Sequence, residues 1–78
     1  MYYVYILLCV DGSLYTGCTK NLKERFQRHI NGHVPATKMR LSVELIFYCA
    51  FKDEYRAFEF EKYLKSGSGR TFMYKRLI

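Results

Sequence analysis

From Tyr2 to Cys9 the chain is almost continuously apolar, with Val4, Ile6, Leu7 and Leu8 in succession. A run this short and unbroken predicts a strand covered on both faces, hence the centre of a sheet. Asp11-Gly12-Ser13 is a turn signal, and Leu14 to Cys18 returns as a second short strand, so the two make a β-hairpin. Past it, Thr19 or Asn21 can cap a helix whose apolar positions Leu22, Phe26 and Ile30 recur every four residues, and Asn31-Gly32 closes it. That predicts a first helix over about Asn21 to Asn31. His33 to Ser42 holds the only proline, Pro35, and has no clear period, so it is expected to be a loop.

Val43 to Phe51 is rich in β-branched and aromatic residues and predicts a third strand. Asp53 can cap a second helix running to about Ser66, with Gly67 and Gly69 stopping it and Arg70 to Ile78 forming a final short helix. The fold class expected is α+β (an α/β sandwich) in one domain over residues 1–78. It has a small, mainly antiparallel three-stranded sheet flanked by two or three helices. The right-handed crossover rule lays the third strand beside the first, for the order 2-1-3.

Composition narrows this picture. Seventy-eight residues bury a modest fraction of their surface, so every large apolar residue is needed for one core, and eight tyrosines and six phenylalanines could offset the small size. The net charge of +6 is spread along the chain and favours a polyanionic partner, the bland alternative being ordinary solubility charge. Cys9, Cys18 and Cys49 are odd in number and lack C-x-x-C spacing, which speaks against a disulfide framework or a zinc cluster and for a reducing, cytoplasmic setting. The longest apolar run is too short to cross a bilayer and lacks a basic leader or cleavage site, so no membrane span or secretion signal is expected.

Candidate chemistry comes from helix phase. At about a hundred degrees per residue, Arg25 and His29 flank the Leu22, Phe26, Ile30 stripe, while Lys23, Glu24 and Gln27 fall on the far side. A guanidinium and an imidazole at that edge can reach the sheet tyrosines; the bland alternative is a packed arginine stem and a satisfied border histidine. On the second helix Glu61 falls within an apolar arc of Ala57, Phe60 and Leu64, with Phe58 closing the other edge. A carboxylate placed so needs a partner: Arg25, Lys65 or a divalent ion such as Mg²⁺, which needs only one or two protein carboxylates. Tyr5 and Tyr15, on spacing alone, read as core packing, and only the full set of residues points to chemistry.

Tyr3-Val4-Tyr5, Tyr15-Thr16-Gly17, Arg25, His29 and Glu61 in this order resemble the GIY-YIG nuclease superfamily, and within it the small bacterial proteins related to the nuclease module of the excision-repair subunit UvrC. The resemblance spans nearly the whole chain. It implies a DNA endonuclease of repair or recombination that uses Mg²⁺ (or Mn²⁺) held by Glu61, with Arg25 clamping a phosphate oxygen. Tyr15 or Tyr5 would act as the base, and His29 would assist as a proton relay or phosphate contact. Lys20, Lys38, Arg40, Lys65 and Arg70 are the cations expected to meet the nucleic acid. Val4 and Thr16 replace the family's isoleucines, Cys18 stands where relatives such as the UvrC module carry a lysine, and no family-like asparagine follows the second helix. The alternative is a non-catalytic nucleic-acid-binding module that keeps the site as architecture. No separate DNA-binding domain is expected, so any specificity would come from this domain, a homodimer partner or another protein.

Overall fold

A computed structural model describes residues 1–78. The hairpin forms as expected: β1 (Tyr2–Cys9) and β2 (Leu14–Thr19) pair antiparallel, with Tyr5 opposite Gly17 and Leu7 opposite Tyr15. The turn is fixed by Asp11, whose carboxylate accepts from the backbone N–H of Ser13 at 3.0 Å and from its hydroxyl at 2.6 Å. Those two bonds hold the Asp11 carboxyl below its ordinary range. Helix α1 (Leu22–Ile30) is capped by the Asn21 side chain accepting from the Glu24 N–H, and Asn31 closes it.

The strand β3 (Val43–Phe51) pairs antiparallel with β1 on its other side, giving the order β2-β1-β3. Register shifts between Ile6 and Leu7: Ile6 faces Phe47 but Leu7 faces Leu45, so Ile46 is the extra residue of a bulge. The bulge breaks strict alternation, and Ile46 and Phe47 both pack on the same core. Helix α3 (Glu54–Leu64) follows, capped by Asp53 through the Tyr55 N–H.

The pleat of β1 sorts its side chains to two faces. Val4 and Ile6 pack with Ala57, Leu64 and Met73, so this face carries α3 and α4 (Gly67–Arg76). Tyr5 and Leu7 point to the opposite face, where Tyr5 meets α1. Both faces are covered, which explains the unbroken apolar run.

Four expectations are corrected by the structure. The segment taken as a loop contains a short helix, α2 (Pro35–Lys38), with Pro35 at its first position, where the missing N–H costs nothing and φ suits a helix. The last helix begins at Gly67 rather than Arg70: the Ser66 hydroxyl caps it through the Gly69 N–H, so a glycine pair read as a stop lies within a start. In α1 the deeply buried residue is His29, whereas Ile30 is 45% exposed. Seven residues return within about 20° of the starting direction while eight overshoot by about 80°, so His29, not Ile30, stands over Leu22. Phe58, expected at the edge of the α3 arc, is 61% exposed.

Candidate active site

The site is built on the α1 face of the hairpin. Tyr5 and Tyr15 lie on the same pleat because Leu7, two residues after Tyr5, pairs with Tyr15. Their ring centroids are 6.3 Å apart, and the His29 ring sits 5.6 Å from Tyr5 and 5.1 Å from Tyr15. The three rings form one cluster.

Its members differ in access. Tyr5 and His29 are fully buried, and Tyr15 is half-buried at the wall of an open cleft of about 540 Å³ between β2 and α3–α4. The Tyr5 hydroxyl is 2.8 Å from His29 Nε2, and His29 Nδ1 is 2.7 Å from Thr37 Oγ1. A neutral imidazole has one donor and one acceptor, so one nitrogen donates and the other accepts along the chain Tyr5–His29–Thr37. Burial, then the guanidinium of Arg25 and then that of Arg28, pushes the imidazole down from 6.5 to about 4. His29 is therefore neutral at physiological pH and satisfied at both ends.

That neutrality makes stability pH-dependent. With a folded value of about 4 and an unfolded value near 6.5, only the unfolded chain gains this proton on acidification between them. His29 thus contributes stability that is fully present above pH 6.5 and lost as pH falls toward 4, on the order of 3 kcal/mol in all. Thermal melts should show Tm falling by on the order of 10 °C across that window, with a shallower fall in His29→Gln. A wild-type Tm that is flat there would contradict the account.

Burial also raises the phenol of Tyr5 well above its ordinary value, reinforced by Tyr15, while Arg25 beside it pulls the other way and Glu61 adds a smaller upward push. Arg25 is half-buried, and its Nε is a buried donor with no partner. A buried guanidinium nitrogen left open is what an incoming anion would satisfy.

Glu61 stands on α3, on the other layer of the fold. Its charge reaches Tyr5 and also raises the Cys18 thiol, whose burial is the larger cause. The Glu61 side chain is 15% exposed and takes one partner, Lys65, whose Nζ donates to Oε2 at 3.1 Å. Of the pairings open from sequence, the structure has formed the one a helical turn away. No group of three or more His, Cys, Asp or Glu side chains converges anywhere in the chain. A single carboxylate does not make a zinc-type cage, but it fits a hard ion that takes its other ligands from phosphate and water.

Tyr5, Tyr15 and His29 thus form one ring cluster with Arg25 beside Tyr5 on the α1 side, while Glu61 stands on α3, its charge felt at Tyr5 and Cys18. The cations divide differently. Arg70 and Lys65 line the cleft beside Tyr15. Arg40 is engaged within the fold, donating to the Ala36 carbonyl at 2.7 and 3.2 Å and to Ser13 Oγ at 2.7 Å, and so ties α2 to the hairpin turn. Lys20 sits 5.5 Å from the Tyr2 ring centroid, and Lys38 is exposed on α2. The residue missed from sequence is Thr37, fully buried against His29. Its signal was faint: a Val-Pro step opening a helix turn, in a segment without period.

This arrangement is that of a nuclease domain: the chain belongs to the GIY-YIG family, whose description, GIY-YIG catalytic domain, matches residues 1–75. It is similar to UPF0213 proteins, being 44% identical to one from Clostridium perfringens over 66 residues, which is 83% of this chain and 71% of that one. A UPF0213 protein of Lacticaseibacillus paracasei is 42% identical over 65 residues, 82% of this chain and 73% of the relative. Among solved structures, the NMR structure of a UPF0213 protein from Bacillus halodurans is similar at 33% identity with a TM-score of 0.61, over 96% of this chain and 84% of the other. No helix here is long and apolar enough to cross a membrane.

Proposed function

We propose that this protein is a metal-dependent endonuclease that hydrolyses phosphodiester bonds in DNA, directed by branched or damaged structure in repair or recombination. The observation that carries the reading is the ring cluster at the hairpin edge. Tyr15 is half-buried and lines an open cleft, while Tyr5 is fully buried against it and bonded to His29.

Each residue then has a distinct task. Tyr15 is the tyrosine able to meet an attacking water and, as the phenolate, take up its proton to become the phenol, because Tyr5 is sealed from solvent and bonded to His29. Tyr5 and His29 are positioning residues: the Tyr5–His29–Thr37 chain fixes the ring against which Tyr15 lies. With both imidazole nitrogens engaged, His29 fits that task better than a phosphate contact. Arg25 offers its unpartnered buried Nε to a non-bridging phosphate oxygen and offsets charge that grows in the transition state. Glu61 would hold Mg²⁺ or Mn²⁺, which when bound polarises the scissile phosphate and stabilises the leaving 3′ oxygen. Lys65, now on the Glu61 carboxylate, would be released to a phosphate.

Incubating the purified protein with nicked, flapped and branched DNA tests this, with Mg²⁺ or Mn²⁺ present or removed by chelation. Cleavage that requires the ion is expected, and Arg25→Ala should lower its rate about 10²- to 10³-fold. Salt-sensitive binding with no scission under either ion would instead point to the non-catalytic binding module.

A further inference from the structure

The cleft beside Tyr15 extends past the catalytic cluster to α4. Arg70 and Lys65 line it and no carboxylate does. Neither of the chain's two ion pairs involves Arg70, so its guanidinium is free to take an anion. One turn on, at i+4 and on the same face, Tyr74 lines the same cleft. The residue is 62% exposed, and its ring packs on no other aromatic ring of the chain.

Tyr74 also borders a second open groove, of about 640 Å³, whose walls include Leu14, Ile46 and Leu77 and which is apolar but for Gly12. The tyrosine therefore divides a cationic cleft from an apolar one. A nucleotide has the same division, with an anionic phosphate and a flat base that gains from stacking and apolar contact. A paired base inside a duplex cannot reach a ring on a helix surface; an unpaired one can.

We propose that α4 carries a nucleotide subsite in which Arg70 holds the phosphate, and Tyr74 stacks the unpaired base, of a DNA residue flanking the scissile bond. The subsite rests on the nuclease reading for its position relative to cleavage, but its binding needs no metal and no chemistry.

Single-stranded DNA oligonucleotides carrying 2-aminopurine, titrated with protein in a chelating buffer, report both affinity and stacking. The wild type should quench the fluorescence and bind a single strand more tightly than a blunt duplex of equal length. Tyr74→Leu should weaken single-strand binding roughly 5- to 100-fold and relieve the quench, with Tyr74→Phe retaining both. Arg70→Ala should weaken binding and reduce the log–log salt slope by about 0.7, a change that loss of helix packing alone would not produce. Circular dichroism melts identify any variant that has unfolded, and Tyr74→Phe then carries the stacking test alone. An unchanged quench and Kd in Tyr74→Leu, or an unchanged slope in Arg70→Ala, would overturn the subsite. Stacking without metal-dependent cleavage would leave the subsite standing and remove the nuclease reading, whereas cleavage with Tyr74→Leu binding unaltered would do the reverse.

Discussion

Glu61→Gln is expected to lower metal-dependent cleavage by more than about 10³-fold while leaving the fold in place. The substitution keeps size and helix propensity and removes only the charge. In the proposed chemistry that charge is the anionic ligand the protein gives the ion, and Glu61 belongs to no group of three or more His, Cys, Asp or Glu side chains. The structural cost is small because the partner it abandons, Lys65, is 54% exposed and stays hydrated. An ion pair of that kind is worth about 1 kcal/mol or less. Activity and stability should therefore separate cleanly: single-turnover cleavage collapses and Mn²⁺ binding, followed by electron paramagnetic resonance, weakens, while the melting temperature moves by only a few degrees. A Glu61→Gln protein that still bound Mn²⁺ and cut at the wild-type rate would remove the metal role assigned to this residue.

Lys65 sharpens the same point. Its ammonium occupies Glu61 Oε2, so in the proposed site an ion taking that oxygen would displace it. Displacement from an exposed helix pair is cheap, and the freed lysine remains on the wall of the cleft. In the proposed site the ion pair and the metal, alternatives when only the sequence is read, would be successive partners of one carboxylate.

What was legible in the sequence follows from what periodicity encodes. The apolar run of β1 can only be a doubly covered strand, and with the Asp11 turn it dictates the hairpin, the central position and the order 2-1-3. Helix phase placed Arg25 and His29 near the sheet and Glu61 within an apolar arc. It failed where a repeat of four was taken for a period of 3.6, which exchanged Ile30 for His29 as the buried residue. Thr37 was beyond reach because its partner lies eight residues away across a turn, and only the tertiary fold brings them together. The start of α4 was missed because Gly69 reads locally as a breaker, yet a Cβ there would meet the Tyr63 carbonyl and, at 2.8 Å, the Leu64 Cα. Close packing of α3 and α4 demands that glycine, and no local propensity records it.

A second glycine leads to the largest stability effect expected in the chain. Gly17 lies opposite Tyr5 on the neighbouring strand, and the phenol ring crosses directly over it. A Cβ at residue 17 would strike the Tyr5 hydroxyl and stand 2.8 Å from its Cε1. The ring has no easy retreat, because its hydroxyl is bound to His29, which is bound in turn to Thr37, and all three residues are buried. In an ordinary strand Gly→Ala would be neutral or stabilising. Here it must push Tyr5 aside and break that hydrogen-bond chain, at a combined cost of about 3–5 kcal/mol. Gly17→Ala should therefore lower Tm by on the order of 15 °C or more and depress cleavage as well, since the ring behind Tyr15 is displaced. A double-mutant cycle isolates the cause: in a Tyr5→Ala background the clash is gone, and the same glycine substitution should cost less than about 1 kcal/mol. If Gly17→Ala instead melts with the wild type, the third position of the Tyr15-Thr16-Gly17 motif is not reserved for the Tyr5 ring, and the locked pair of phenols loses its structural basis.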